Sequence, residues 1–410
     1  MRIFNANIYG TDGKFHEGSL RIRGGIITDV SFEDGESGAI SDVNNISKEP
    51  GGPGTEEKQS GREDEQIDAR GMYVIPGLID LHFHGASGYD VCDGTPEAFR
   101  NIAAFELSQG VTSICPATMT LPEEVLLNVL SCGRRFSEET AGDNSLSELV
   151  GFNMEGPFIS HAKKGAQNEE YIRKADIGMA ERFLEASGGL LKIIGLAPEE
   201  SPDFEEYIRA VKDRVIVSLA HTNADYDTAM RAIRAGAKHA VHLYNAMSPL
   251  SHRTPGVVNA VFDSGSVNAE LICDGIHLHP SAVRTALREL TWHQGMAVFI
   301  SDSLRAAGMP DGEYELGGQT VRKEGKLCTL CGAGTIAGSV SSLYDCMVNV
   351  VKTMDIPIEE AVRCSSTNPA RVLGLYDRLG EIAAGKQADL VVMDRELNRK
   401  MVFKRGRLFR

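Results

Sequence analysis

The chain has 410 residues, of which 42% are hydrophobic and 24% are charged; this is an ordinary globular composition, long enough for one large domain with a smaller one. Lysine and arginine total 42 against 57 aspartates and glutamates, and the formal net charge of −15 argues against a nucleic acid or an anionic membrane as partner. An anionic small molecule would therefore need a local basic pocket.

The cellular compartment is predicted from the N-terminus and the cysteines. "MRIFNANIYG" lacks the basic start and apolar run of a signal peptide, and no stretch of about 18 apolar residues suggests a membrane span. The eight cysteines lie in apolar stretches of a chain too large to need disulfides, so we expect reduced thiols and a cytoplasmic protein. Cys328 and Cys331 form a single CxxC, without the second pair that a structural zinc site usually needs.

The two ends of the chain predict a small β-sandwich-like domain. Residues 1–72 begin with alternating apolar and polar residues and glycine turns, which indicate short antiparallel strands. Within them, residues 31–65 are acidic, rich in glycine and proline, and poor in large apolar side chains, so we expect a flexible insert. Residues 377–410 return to alternating strands and are expected to complete this domain.

Residues 73–376 predict a (β/α)8 barrel of the TIM type. Short apolar runs alternate with amphipathic stretches such as "DTAMRAIRAGA" and "SAVRTALREL", and eight such runs favour a closed barrel over an open sheet. The runs are "YVIPGLIDL", "VTSICPA", "LVGFNME", "LKIIGLAPE", "RVIVSLAH", "HAVHLYN", "AELICDG" and "MAVFISDS".

Polar side chains end most of these runs, where the chemistry of such barrels is placed. They are His82, His84, Glu155, His221, His242, Asp274 and Asp302. Residues i and i+2 of a strand share a face, so His82 and His84 can both point into the barrel mouth. Each residue alone is as compatible with a hydrogen-bonded core or cap role, but imidazoles and carboxylates at several strand ends together predict a metal site.

The motifs in this chain resemble the N-acetylglucosamine-6-phosphate deacetylases of the amidohydrolase superfamily. Apart from the acidic insert, the matching stretches run in order along nearly the whole chain. They are "PGLIDLHFHG", "NMEGPF" with "KKGAQN", "SLAHTNA", "HLYNAMSPLSHRTPG", "CDGIHLHP", "ISDS", "GSVSSL", "NPARVLGL" and "GEIAAGKQADLVVMD".

The resemblance implies a set of site residues and a reaction. Glu155, His221 and His242 fall on the main metal ligands, for one or two divalent ions such as zinc or iron, and the His82/His84 pair favours a second ion. Asp302 falls on the catalytic aspartate and His277 on a residue that contacts substrate and assists catalysis. The substrate positions are Gln167, which is histidine in some members, Asn245, Ala246 and the phosphate-binding Arg253.

The implied reaction releases acetate from N-acetyl-D-glucosamine 6-phosphate, with Asp302 moving protons. In some relatives the arginine comes from the partner subunit, so a homodimer is implied. Three alternatives stay open: the galactosamine epimer as substrate, a cyclic-amide hydrolase, and a non-enzymatic scaffold with a decayed site. Cyclic-amide hydrolases usually carry a modified lysine at the end of the fourth strand, whereas Lys192 stands near its start. The role of His252 is not assigned.

Overall fold

The computed structural model describes residues 1–33, 65–292 and 295–409. Apart from its first and last residues, the predicted flexible insert at 31–65 lies outside the described residues. Within the described ranges, no helix combines the length and the hydropathy that a membrane crossing would need.

The two ends of the chain meet in one sheet of eight strands. The first strand, Arg2–Tyr9, pairs with its antiparallel neighbour Phe15–Arg23 and runs parallel to Tyr73–Pro76, which in turn pairs with Leu390–Met393. This order explains why neither end is a domain alone, because the C-terminal strands extend a sheet begun at the N-terminus. The strands are Arg2–Tyr9, Phe15–Arg23, Ile26–Phe32, Gln66–Asp68, Tyr73–Pro76, Leu390–Met393, Arg399–Lys404 and Arg407–Phe409.

Alternating residues of this sheet supply its core, as expected for strands with one buried face. Ile3, Leu20 and Phe403 are fully buried there. The run "YVIPGLIDL", grouped with the barrel in the sequence analysis, is divided by the structure at Gly77, so that residues 73–76 pair with the small sheet. A Cβ atom at Gly77 would lie 2.2 Å from the hydroxyl oxygen of Thr112, so this close crossing between the two units requires glycine.

Eight parallel strand segments form the predicted (β/α)8 barrel. Short strands Ala117–Thr118 and Glu148–Leu149 accompany the second and third segments. The ring closes where the Asp302 amide donates to the carbonyl oxygen of His82 at 3.0 Å. The segments are Leu78–Asp80, Val111–Ile114, Phe152–Met154, Leu191–Leu196, Ile216–Leu219, His239–Ala240, Asn268–Ile272 and Ala297–Ile300.

A helix follows each barrel segment and covers it with an apolar face. In the second helix, Leu126, Val129 and Leu130 are fully buried at helical spacing. Side-chain caps fix several helix starts: Asp225, for example, accepts the amide of Thr228. The helices are Pro96–Ser108, Glu123–Glu139, Ile177–Ser187, Phe204–Val211, Tyr226–Ala235, Val257–Ser264, Pro280–Trp292 and Leu343–Thr353, followed by the short Ile358–Val362 and Asn368–Val372.

The connection after the eighth barrel strand carries an antiparallel meander that the sequence analysis did not predict. Its strands are Gly312–Leu316, Gln319–Glu324 and Leu327–Leu330. A small core that includes Leu316 and Val321 seats the meander on the barrel. The meander reaches the loop after the third barrel strand, where the side-chain amide of Gln319 donates to the backbone carbonyl oxygen of Ala166 at 2.5 Å. This connection therefore forms one wall of the barrel mouth.

Candidate active site

A cavity of about 400 Å³ opens at the C-terminal ends of the barrel strands. Its walls come from the ends of several barrel strands, the loop at residues 162–167 and the meander, so residues far apart in sequence meet in one place. The predicted site residues that line it are His84, Glu155, Gln167, His221, His242, Asn245, Ala246, His277 and Asp302. His82 is fully buried beneath them.

Three of the clustered histidines are held in the same way, with Nδ1 against a backbone carbonyl. The contacts are His84 to Ala117 at 3.2 Å, His221 to Lys163 at 2.8 Å and His242 to Asn245 at 3.2 Å. A carbonyl oxygen only accepts, so Nδ1 carries the proton and, in the neutral ring, Nε2 presents a lone pair. This arrangement fixes the tautomer in which Nε2 can bind a metal.

Glu155 lies at the centre of the cluster. Its Oε1 atom is 2.6 Å from Nε2 of His221 and 2.7 Å from Nε2 of His242, while its Oε2 atom accepts a hydrogen bond of 2.6 Å from Gln167. Burial alone would favour the neutral acid, but the neighbouring histidines, His221 first, hold the pKa of Glu155 well below its usual range. The group is therefore a carboxylate at neutral pH.

A second group of donors lies beside the first. The Oδ1 atom of Asp302 is 3.2 Å from Nε2 of His84 and 3.6 Å from Nε2 of His82. Two triplets, His82/Glu155/His242 and His82/His84/Asp302, each bring three possible ligand atoms within 4.8 Å of one another. Carboxylate oxygens and imidazole nitrogens are the ligands that zinc and similar ions prefer.

Unsatisfied atoms indicate that a cation fits here. His82 Nε2 and Asp302 Oδ1 are buried and have no hydrogen-bond partner among the described residues, although buried polar atoms are normally paired. The Nε2 atoms of His221 and His242 face each other at 3.1 Å, where two lone pairs would repel. Burial disfavours charge on His82, yet Glu270 and other carboxylates outweigh it and raise the pKa of His82 to about 10. Divalent ions held in this cluster would give these nitrogen and oxygen atoms partners.

Three of the predicted site residues have a strained backbone. His221, His242 and Asp302 have φ values of 44°, 26° and 50°, in the left-handed region that side chains other than glycine seldom adopt. Each of them stands where a barrel strand ends, and the turn there aims its side chain into the cavity. Such strain persists where the surrounding structure enforces it, and it is common at functional sites.

His277 forms a separate pair with Asp274 on the cavity wall. Its Nδ1 atom donates to Asp274 Oδ2 at 2.7 Å, and the other carboxylate oxygen accepts the backbone amides of Ile276 and His277. Burial disfavours the imidazolium, but the Asp274 carboxylate outweighs burial and raises the pKa of His277 above its usual value. Because Nδ1 is already used, His277 can donate from Nε2 only when it is protonated.

Arg253 is the predicted site residue that the single chain does not bring to the cavity. It is exposed on the loop after the sixth barrel strand, next to the exposed His252, and it is not among the residues that line the cavity. Among the described residues, the lining does include one lysine, Lys163.

Sequence reasoning missed Glu270, which lies in the seventh barrel strand behind His82. Its Oε2 atom is 2.7 Å from Nδ1 of His82, and its Oε1 atom accepts from the side chain of Asn153 at 3.1 Å. A charged residue inside the apolar run "AELICDG" was the available signal, because buried glutamates are rarely left unpaired.

The barrel and the cluster of histidines and carboxylates at its mouth are typical of metal-dependent hydrolases, and comparison of the sequence with known families agrees. The model of the amidohydrolase family matches residues 73–409. A relative from Bacillus subtilis (strain 168), an N-acetylglucosamine-6-phosphate deacetylase, is 37% identical over 338 residues, covering 82% of this chain and 84% of that protein. The chain therefore belongs to the amidohydrolase family and, within it, to the N-acetylglucosamine-6-phosphate deacetylases, which confirms the resemblance seen in the motifs.

A solved structure and a second relative are also similar to this chain. The structure of N-acetylglucosamine-6-phosphate deacetylase from Pasteurella multocida aligns with a TM-score of 0.85 at 28% identity, covering 99% of this chain and 98% of that one. An N-acetylgalactosamine-6-phosphate deacetylase from Escherichia coli O157:H7 is 32% identical over 335 residues, covering 82% of this chain and 87% of that protein. The deacetylase group thus includes enzymes named for both epimers.

Proposed function

We propose that this protein hydrolyses the acetamide of N-acetyl-D-glucosamine 6-phosphate to D-glucosamine 6-phosphate and acetate, in amino-sugar catabolism. The observation that carries the proposal is the cluster of Glu155, His221 and His242 beside Asp302 in one cavity. The names of the relatives support the choice of substrate.

The cluster is proposed to hold one or two divalent ions, zinc or iron. Glu155, His221 and His242 would form the first position, and His82 and His84 with Asp302 the second. When bound, such an ion activates water and polarises a carbonyl group near neutral pH. The protein supplies fixed tautomers, a central carboxylate and a largely buried setting.

Asp302 is proposed to move the protons. Its carboxylate lies at the edge of the cluster and lines the cavity, so it can take a proton from the attacking water and pass it to the leaving amine. Burial opposes its charge, but the neighbouring imidazoles, His84 first, outweigh burial and lower the pKa of Asp302. It therefore starts the reaction as a base.

His277 is proposed to donate from Nε2 to the oxygen of the acetamide, where negative charge develops during attack. The Asp274 carboxylate favours the protonated ring that such donation needs. Asn245 and Ala246 line the cavity, and their backbone is proposed to bind the phosphate. Gln167, also in the lining, is proposed to contact the sugar.

Arg253 would complete the phosphate site by entering the cavity of a second copy in a homodimer. Its exposed position on the loop at residues 251–255 fits this role, because an exposed guanidinium is free to reach another subunit and to bind phosphate with its planar fork of donors. We place the protein in the cytoplasm, in line with eight cysteines that form no disulfide.

A second candidate is the galactosamine epimer, favoured by the relative from Escherichia coli O157:H7. A cyclic-amide hydrolase is disfavoured because Lys192 donates to the carbonyl oxygen of Gly189 at 2.9 Å, at the start of its strand and away from the cluster. A scaffold role is disfavoured because the ligand side chains converge. Acetate release from the two epimeric phosphates, measured in parallel, tests the choice: faster release from the galacto epimer would favour the second candidate.

A further inference from the structure

His82 differs from the other clustered histidines in what holds its ring. His84, His221 and His242 rest on backbone carbonyls, whereas Nδ1 of His82 lies 2.7 Å from the carboxylate of Glu270. Both His82 and Glu270 are fully buried. A carboxylate behind a ligating histidine fixes its tautomer and makes the facing nitrogen a stronger ligand than a carbonyl does.

Glu270 also touches the framework of the first ligand group. The Oε2 atom that contacts His82 accepts the backbone amide of His242 at 3.0 Å. The Oε1 atom accepts from Asn153, and Nε2 of His239 lies 3.7 Å away. Glu270 is thus held by several donors and cannot easily rotate away from His82.

We propose that Glu270 is a positioning residue that controls occupancy of the second cation position, formed by His82, His84 and Asp302. The inference rests on the proposed function, since it takes the cluster to be a metal site. A divalent ion at this position meets one carboxylate, Asp302, and two imidazoles. Glu270 adds a second negative charge behind His82. It is buried, so its charge is only weakly screened.

The effect of Glu270→Gln should fall mainly on the second position, because glutamine keeps an oxygen that can accept the backbone amide of His242. The rings of His221 and His242 are fixed by carbonyls that do not depend on Glu270. An amide in place of the carboxylate can still accept from His82 or His242 but carries no charge. The Oδ1 atom of Asn153 has no partner, so this side chain can turn to accept from the new amide. The turn gives up its hydrogen bond to the carbonyl oxygen of Leu81, and we expect Glu270→Gln to fold with somewhat lower stability.

The test is a titration of the full chain, stripped with a chelator, with Zn²⁺ alone. The parent should bind two ions in two resolvable steps. Glu270→Gln should weaken the second step by about 10- to 100-fold, the usual effect of losing such a partner, and leave the first within about threefold. Glu106→Gln is the matched control, because the Glu106 side chain is also buried and its carboxyl oxygens have no hydrogen-bond partner among the described residues. This variant should bind Zn²⁺ like the parent.

Two further variants keep the test decisive. Glu270→Asp retains the charge but shortens the reach, and its second step should be weaker than that of the parent. In a His82→Ala background, Glu270→Gln should cause no further loss, because the partner through which Glu270 acts is gone. Metal-free thermal unfolding checks that each variant is folded.

The proposal is overturned if Glu270→Gln or Glu270→Asp binds both ions as the parent does, if the parent binds a single ion, or if the loss persists without His82. No substrate enters this titration. A protein that shows the two-step pattern but releases no acetate would therefore contradict the proposed function and leave the role of Glu270 supported.

Discussion

Gln167 donates a hydrogen bond of 2.6 Å to Oε2 of Glu155. Its own carbonyl oxygen accepts the backbone amide of Thr120 at 2.6 Å. Because a backbone amide can only donate, these two contacts together fix which end of the Gln167 amide faces the carboxylate. Glu155 is thereby held with Oε1 towards His221 and His242. Gln167 thus supports the proposed metal ligand Glu155 in addition to lining the cavity.

This relationship yields a prediction for Gln167→Leu. The variant removes the donor and leaves Oε2 of Glu155 free to turn, so metal affinity should fall by about tenfold or more, as for other partners of metal ligands. Competition with a chromogenic chelator measures the change. Asn168→Ala, at the neighbouring position where the side chain caps a short helix, is the control. Unchanged affinity in Gln167→Leu would show that Glu155 is positioned without it.

Asp302→Asn separates proton transfer from metal binding. The substitution keeps the shape but removes the base, so we expect the ion held by Glu155, His221 and His242 to remain, the second position to weaken, and turnover to fall by roughly 10²- to 10⁴-fold. Metal analysis and acetate release on the same sample decide the outcome. Loss of the ion at the first position as well would make Asp302 chiefly a support of the metal site, and turnover close to that of the parent would contradict the proposed mechanism.

The site residues at the ends of the barrel strands could be predicted from the sequence. The residues that hold those side chains in place could not. His82, His221 and Asp302 each follow an apolar run, so the general rule for barrels places them in one mouth. Glu270 stands within such a run, and nothing local distinguishes a residue that holds His82 from one paired elsewhere. Its partner is 188 positions away along the chain, and only the closed barrel brings the two together.

The meander at residues 312–330 was not predicted, although the sequence carries a signal for it. Its hairpins turn at Gly317 and Gly318 and at Gly325, all with positive φ, and glycine pairs between alternating residues are a hairpin signal. The alternation of strands and helices that predicts the barrel includes no hairpin, so this signal in the last connection was missed. The place of Arg253 away from the cavity follows from no local pattern, since the contact that the resemblance implies for it, and that we propose, needs a second subunit.

Arg253→Ala should impair phosphate recognition specifically. Losing a charge-assisted contact costs about 1.5 to 3 kcal/mol, so kcat/KM for the 6-phosphate sugar should fall by about tenfold or more, with little change for the unphosphorylated sugar. His252→Ala, the exposed neighbour, is the control and should leave both values unchanged. Equal losses on the two substrates would remove Arg253 from the phosphate site.

The His277/Asp274 pair predicts a pH dependence. The pKa of His277 is raised, so the imidazolium and its Nε2 donor persist below that raised pKa and are lost as pH rises through it. Asp274→Asn removes the carboxylate and leaves burial, which lowers the pKa of His277. The alkaline limb of the kcat/KM profile should therefore move to lower pH in this variant. An unchanged limb would mean that another group controls it.

The central claim is metal-dependent release of acetate, and one assay tests it most directly. Purified protein is given N-acetyl-D-glucosamine 6-phosphate before chelation, after chelation and after Zn²⁺ or Fe²⁺ is restored, and acetate is quantified. We expect release before chelation, loss of release after it and recovery on restoring the metal, with no recovery in His221→Ala. Release that survives full removal of the metal, or none from the metal-loaded parent, would contradict the account.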